Sequence, residues 1–164
     1  MESIITENTT EAKTTNRQFI TFQIGKETYG IEVMRAREVM YLVEITEVPN
    51  TLPFMKGVMD LRGVIVPLID ARAKFNLKVR DYDIDTVTII LEYPEQTLGL
   101  IVDSVSDVVG LSKSDIQDPS RFPEASDKNY VDGIAKVDEK LIILLNIDKI
   151  FTDKEMKGML SKKQ

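Results

Sequence analysis

The chain of 164 residues contains no cysteine, no histidine and no tryptophan. Without cysteine, disulfides, thiol nucleophiles and thiolate metal sites are excluded. Without histidine, the chain lacks the commonest general base and metal ligand, and the residue that changes charge near neutral pH. Phosphorylation on histidine is excluded too, as are Ser–His–Asp and Cys–His catalytic arrangements built within this chain. Catalysis by carboxylates, Lys or Tyr stays open.

The chain also has fewer basic than acidic residues, and it has no long apolar run. Lys and Arg number 21 against 27 Asp and Glu, so the net charge is -6 at pH 7. Nucleic acids and anionic membranes bind a basic face, so neither is expected as the main partner. No apolar run approaches the roughly 18 residues of a membrane helix, and direct membrane insertion is not expected.

The N-terminal stretch, residues 1–17, is polar and rich in Thr and Glu. It lacks the basic start and the apolar core of a signal peptide. We therefore predict a disordered N-terminal tail over 1–17 and a cytoplasmic protein.

Short runs of β-branched and aromatic residues, separated by turn residues, fill most of the remaining chain, which is typical of an all-β fold. Two short helices, over 71–75 and 153–160, are indicated behind the N-caps Asp70 and Thr152. The stretch Met34–Val43 suits a further helix. The predicted strands are Phe19–Ile24, Tyr29–Val33, Glu44–Val48, Gly57–Leu61, Val64–Ile69, Thr86–Tyr93, Leu98–Val102, Gly133–Val137 and Leu141–Leu145.

The two halves of the chain share an internal repeat. Thr28–Val33 matches Thr97–Val102 at a spacing of 69 residues, and Gly57–Val58 matches Gly133–Ile134 at a spacing of 76. Because the second spacing is longer, a net insertion lies in the loop Ser112–Tyr130. Matching blocks in the same order predict two similar small β subdomains. Two such subdomains side by side leave a groove between them, which suits a protein with several partners.

One segment carries a specific family resemblance. The run from Phe54 to Asp70, FMKGVMDLRGVIVPLID, closely resembles the signature of CheW coupling proteins. The blocks Tyr29–Ile31, Gly99–Val108 and Leu141–Ile150 are also similar to that family. The resemblance covers 18–159, nearly the whole chain outside the predicted tail. It is highly specific, because four separated blocks occur in the family's order.

The resemblance implies an all-β fold with short helices, in which two pseudo-repeated five-stranded SH3-like β-barrels lie side by side. A CheW-like domain would span 18–152, with two interleaved barrels at roughly 18–80 and 84–152, and a C-terminal helix and tail would span 153–164. The implied function is that of a chemotaxis adaptor, with no enzymatic activity and no cofactor. Its implied partners are the regulatory domain of the histidine kinase CheA and the cytoplasmic tip of methyl-accepting chemoreceptors, in signalling arrays where it helps regulate kinase activity.

By resemblance, residues from both halves form the receptor-facing surface. Three valines supply its apolar lining, although core packing is their ordinary explanation and stays open here. Glu38 and Val39 lie on the predicted first helix, where a solvated charge and a core residue are the ordinary alternatives. The residues assigned to receptor binding are Ala36, Glu38, Val39, Arg62, Val87, Val105 and Val108.

By resemblance, a second set of residues contacts the kinase. Arg62 lies in the hairpin turn; a solvated turn arginine is the ordinary explanation, whereas the resemblance ties this position to coupling. Gly57 is expected to act through the backbone. Some family members carry a basic residue in place of Gln117. The residues assigned to kinase binding are Gly57, Leu61, Arg62, Ile65, Gln117, Arg121 and Phe122.

Two other classes of function stay open on the residues alone. A hydrolase with an Asp/Glu pair needs two acids that converge on a pocket, and a sensor needs a metabolite or metal site between the barrels. Asp81, Asp83, Asp85 and Glu92 occupy positions 1, 3, 5 and 12 of an EF-hand-like loop. Thr86 stands where that loop needs glycine, so a solvated acidic linker is favoured over calcium binding.

Overall fold

The computed structural model describes residues 16–41, 43–49, 51–119 and 129–161. β-strands dominate these ranges, and the helices are short. The strands are β1 (Asn16–Ile24), β2 (Glu27–Glu32), β3 (Ala36–Met40), β4 (Met55–Leu61), β5 (Val64–Asp70), β6 (Val87–Glu92), β7 (Thr97–Val102), β8 (Ser104–Ser112), β9 (Ile116–Gln117), β10 (Val131–Val137) and β11 (Lys140–Leu145). The helices are α1 (Ala71–Lys74), α2 (Ile147–Ile150) and α3 (Asp153–Ser161), and 3-10 turns span Val33–Arg35 and Lys113–Asp115.

The hairpin β4–β5 forms where the sequence predicts it. Arg62 and Gly63 both have positive φ, 51° and 90°, which is the type I′ turn that matches the twist of two-residue hairpins. The Asp60 carboxylate accepts a hydrogen bond of 2.8 Å from the Gly63 N–H and holds the turn. The repeat-related hairpin β10–β11 turns in the same way at Asp138 and Glu139.

The strands form two sheets with matching order. One sheet runs β8-β1-β2-β11-β10-β9, and the other runs β3-β6-β7-β5-β4. The pairing follows the repeat residue by residue: Ile20 opposes Val108 in the first sheet, and Ile89 opposes Val39 in the second. An all-β fold with two similar sheets and short helices is therefore confirmed.

The boundaries predicted for the two subdomains, 18–80 and 84–152, are wrong. The hairpin β1–β2 joins β8–β11 of the second half, and the hairpin β6–β7 joins β3–β5 of the first half. The links between strands explain this exchange. Val33–Arg35 separate β2 from β3, and Asp103 alone separates β7 from β8. If each hairpin stayed with its own half, these links would have to join parallel strands past an intervening strand, which takes about a dozen residues.

Three local predictions in the first half need correction. The helix predicted over Met34–Val43 is a 3-10 turn followed by β3, because β6 of the other half offers an antiparallel partner. The strand predicted over Glu44–Val48 is reduced to a single bridge between Thr46 and Val58. The first strand starts at Asn16, two residues before the predicted start of the domain, so 16 and 17 belong to β1 and not to a tail.

The largest buried cluster joins the two sheets. It includes Phe22 and Ile31 from one sheet with Ile89 and Leu100 from the other. The interior of each sheet holds a smaller cluster. The faces between the sheets are therefore filled by apolar side chains, where the sequence predicted a groove.

The C-terminal helix α3 closes one side of this shared core. Thr152 and Glu155 form the predicted N-cap, with reciprocal hydrogen bonds of 3.1 and 2.9 Å. Met159 is fully buried, and Lys74 of α1 pairs with Glu155 at 3.2 Å. Across the described ranges, no helix is long and apolar enough to cross a membrane.

Candidate functional site

Arg62 stands at one end of the five-stranded sheet. Its guanidinium pairs with the carboxylate of Glu38. Glu38 lies on β3 and Arg62 borders β4, and these are the two outer strands of the sheet. The ion pair therefore spans the two outer strands of the sheet, and the segment after β3 bridges β4 at Thr46 and Val58. The Arg62 side chain is exposed, so guanidinium donors remain available to a partner.

Two apolar side chains lie exposed beside Arg62. Val64 and Ile65 are 54% and 48% exposed at the start of β5, whereas β5 is buried from Val66 onward. Leu61 is buried beneath them and lines a shallow pocket with Arg62 and Val64. We call this surface, made of Glu38, Leu61, Arg62, Val64 and Ile65, the Arg62 end. Exposed β-branched side chains around an arginine fork have the composition of a protein-binding patch.

The structure brings part of the predicted kinase-binding set to the Arg62 end and places Gly57 and Gln117 elsewhere. Leu61 and Arg62 line one pocket there, and Ile65 is exposed on the opposite face of β5 from Val64. Gly57 faces the chain after β3: a Cβ at this position would lie 2.4 Å from the Thr46 carbonyl oxygen. Gly57 therefore permits a close approach of the two backbone segments. Gln117 is exposed on β9, while Arg121 and Phe122 lie outside the described residues.

The receptor-binding set is split by burial. Val87 is 0% exposed in the cluster that joins the sheets, so its assignment to a partner surface is wrong and the core explanation holds. Ala36, Val39 and Val105 are partly buried against the same cluster. Val108 is exposed.

These residues occupy repeat-equivalent places on two strands. Ala36 on β3 opposes Leu91, as Val105 on β8 opposes Phe22. Val39 and Val108 correspond in the same way. Sequence reasoning had no signal for this equivalence beyond the repeat spacing, because it assigned β3 to a helix.

Val64 is a partner-surface candidate that sequence reasoning missed. The run from Val64 to Ile69 is almost uniformly apolar, which is typical of a strand buried on both faces. Its first two residues are exposed because the parallel pairing of β5 with β7 starts only at Leu68. The available signal was their place directly after the Arg62–Gly63 turn.

The acidic segment before β6 does not form a calcium loop. Asp83 accepts hydrogen bonds from the Asp85 N–H and the Thr86 hydroxyl, which close a tight turn. Glu92 ends β6 and pairs with Arg37 at 3.5 Å. The six residues of β6 separate it from Asp85 by about 20 Å, so the carboxylates do not converge.

Two bidentate ion pairs fasten the links where the chain crosses between the sheets. Arg72 of α1 donates to both oxygens of Asp103 at 2.9 and 2.7 Å. Burial alone would raise the pKa of Asp103, but the Arg72 guanidinium and the Gly25 N–H outweigh burial and lower it. Arg35 donates to both oxygens of Asp148 in α2 at 3.0 and 2.8 Å, and this bonding lowers the pKa of Asp148.

Comparison with known proteins places this geometry in context. The family model described as CheW-like domain matches residues 18–155. The chain is similar to the chemotaxis protein CheW of Klebsiella aerogenes, with 35% identity over 95% of this chain and 94% of the relative. It is similar to the chemotaxis protein CheW of Bacillus subtilis, with 30% identity over 90% of this chain and 93% of the relative.

A solved structure shares the fold. The crystal structure of the scaffolding protein TtCheW from Thermoanaerobacter tengcongensis is 34% identical to this chain, with a TM-score of 0.77. The match covers 85% of this chain and 94% of that protein.

Proposed function

Because the chain belongs to the CheW-like family, whose members are scaffold proteins of chemotaxis and not catalysts, we propose that it couples methyl-accepting chemoreceptors to the histidine kinase CheA. The observation that carries the proposal is the Arg62 end, where an exposed arginine and its paired glutamate lie beside two exposed β-branched side chains at the start of β5. In this role the protein is cytoplasmic and is recruited to receptor arrays at the membrane.

The Arg62 end is the proposed contact with the regulatory domain of CheA. The type I′ turn fixes the backbone at Arg62, and the Glu38 carboxylate of β3 holds the Arg62 guanidinium by an ion pair. Such a preorganised fork loses little rotamer entropy when a partner carboxylate or carbonyl binds it. Val64 and Ile65 contribute the apolar area that is removed from water.

The receptor tip is proposed to bind along β3 and β8. Ala36, Val39 and Val105 present their partly exposed edges there, and Val108 is exposed. Partly buried apolar residues on two repeat-related strands can receive the apolar face of a helix. The segment with Gln117, Arg121 and Phe122 is proposed as a second contact with the kinase, so that one adaptor touches two kinase domains.

Calorimetry with the CheA regulatory domain tests the kinase contact. We expect saturable binding in which the contact at the Arg62 end is weakened at least tenfold by Arg62→Ala and by Ile65→Ser, which is about 1.4 kcal/mol for each. Leu141→Ser is the matched control, because Leu141 is exposed at the position of β11 that is equivalent to Ile65 in β5. It should bind like the wild type.

Two results would contradict this proposal. One is no binding by a wild-type sample that unfolds cooperatively in urea. The other is an equal loss of affinity in Leu141→Ser and Ile65→Ser, since the contact would then not be specific to the Arg62 end.

A further inference from the structure

The opposite end of the five-stranded sheet holds an open apolar pocket. Tyr41, Val43, Ile45 and Tyr82 line it, and Thr88 forms its floor, around a cavity of about 80 Å³. Ile84 next to it is 82% exposed and Tyr41 is 61% exposed. We call this surface the Tyr82 end. Exposed aromatic and aliphatic side chains around a cavity are typical of a docking site.

The repeat shows what fills the same place in the six-stranded sheet. Phe19 opposes Glu32 there, as Thr88 opposes Ile101 in the five-stranded sheet. Phe19 is buried in the interior of its sheet, and the Arg17 guanidinium lies 5.1 Å from its ring centroid. Arg17 also pairs with Glu32 at 2.6 Å. In the six-stranded sheet, the Phe19 ring therefore fills this place and the Arg17 guanidinium covers it. In the five-stranded sheet, the shorter Thr88 side chain leaves a cavity at the same place.

The charges around the Tyr82 end favour a basic guest. Glu44 stands between two lining residues, and Asp81, Asp83 and Asp85 flank Tyr82 and Ile84. Arg80 pairs with Asp83 at 3.7 Å, and Lys56 lies over the Tyr82 ring. Four carboxylates against two cations leave this rim net negative, so it attracts positive charge within a Debye length of about 8 Å.

We propose that the Tyr82 end docks a basic, extended segment of another protein, which inserts one branched aliphatic side chain and sets an arginine or lysine over it. The cavity is smaller than the ~150 Å³ cavity that holds benzene, so an aliphatic side chain fits better than a whole ring. This surface lies away from the Arg62 end and adds a third kind of contact to the coupling role.

The chain's own N-terminal segment fits this place poorly. Residues 1–15 carry Glu2, Glu7 and Glu11 against the single side-chain cation Lys13. Like charges near the acidic rim would oppose its docking. A positively charged partner is therefore the occupant that the charges favour.

Fluorescence polarisation with short labelled peptides tests the proposal. The probe carries one leucine between arginines; one control peptide has alanine for leucine, and another has glutamate for the arginines. We expect the probe to bind at least tenfold more tightly than either control. Tyr41→Ser and Ile84→Ser should each weaken probe binding at least tenfold. Asp81→Asn with Asp85→Asn should abolish the salt dependence of probe binding, because two carboxylates then face two cations.

Val64→Ser is the matched control variant, because it removes an exposed apolar side chain from the Arg62 end. It should leave probe binding unchanged while it weakens binding to the kinase domain, so failure of this proposal is distinguishable from failure of the coupling role. Equal binding of the leucine and alanine peptides would overturn the proposal. A tenfold gain in affinity after deletion of residues 1–15 would overturn it in favour of the chain's own segment.

Discussion

The two ion pairs that hold the crossing links have opposite polarity in the two halves. Their helix residues are repeat-equivalent, and their link residues lie within one position of equivalence. Arg72 in α1 and Asp148 in α2 both follow the N-cap of their helix by two residues. Arg72 binds the acid of the link after β7, and Asp148 binds the arginine of the link after β2. If the hairpins had not exchanged, Arg35 would face Arg72 and Asp103 would face Asp148. The charges therefore favour the exchanged arrangement that the short links require.

The two pairs also differ in burial. The side chains of Arg72 and Asp103 are 18% and 12% exposed, whereas those of Arg35 and Asp148 are 32% and 59% exposed. Water screens the second pair more strongly, so it contributes less to stability. The Arg72–Asp103 pair is therefore expected to stabilise the fold more than the Arg35–Asp148 pair does.

Reversing the polarity of α1 and α2 together should have the largest effect. In Arg72→Asp with Asp148→Arg, the net charge is unchanged but like charges meet at both links. We expect the free energy of unfolding to fall by about 4 kcal/mol, the sum of a partly buried and an exposed pair. Urea unfolding measures it. Adding Asp103→Arg and Arg35→Asp should restore most of the loss; no recovery would contradict the polarity argument.

Removing one acid at a time should show the difference in burial. Asp103→Ala leaves the Arg72 guanidinium and the Gly25 N–H without their acceptor, and we expect a loss of about 3 kcal/mol. Asp148→Ala acts on a more exposed pair and should cost about 1 kcal/mol. Both variants are compared with the wild type by urea unfolding at pH 7, with an unchanged slope as the control for two-state behaviour. Equal losses would contradict the difference in burial.

At acid pH, the difference in the free energy of unfolding between the wild type and Asp103→Asn should become smaller. We expect this to be the smallest of the three effects. The pKa of Asp103 is lowered in the folded protein, so its stabilisation is present above the unfolded pKa of about 3.9 and is lost as pH falls through the folded value. Urea midpoints at pH 7 and pH 3 measure this gap. A gap that stays constant or widens at pH 3 would show that Asp103 does not stabilise the fold through its charge.

Local signals predicted the hairpins and helix starts well. Arg62–Gly63 predicted its turn because glycine accepts positive φ without strain, and Asp70 predicted the start of α1 because its carboxylate satisfies the N–H groups of Arg72 and Ala73. These features depend on a few neighbouring residues, so sequence alone suffices for them. The repeat spacing likewise predicted two similar sheets.

The candidate site was only partly predictable for the same reason. Arg62 and Ile65 were found through the family resemblance, and the structure places both at the exposed Arg62 end. Val87 belongs to a strand with the same apolar character, yet it is buried between the sheets. Apolar identity alone cannot tell a core valine from a surface valine, because exposure depends on which strand or sheet covers the residue.

The sequence by itself determined the turns, the caps, the repeat and the charges of the crossing links. Only the tertiary structure decided that the hairpins β1–β2 and β6–β7 are exchanged between the halves and that Ala36–Met40 form a strand. It also decided that an apolar side chain fills the end of one barrel, whereas the same end of the other barrel stays open. Turn and cap energies come from groups within a few residues of one another. Strand pairing and burial depend on contacts between segments that are far apart in the chain. Which segments pair is therefore decided only when the whole chain folds.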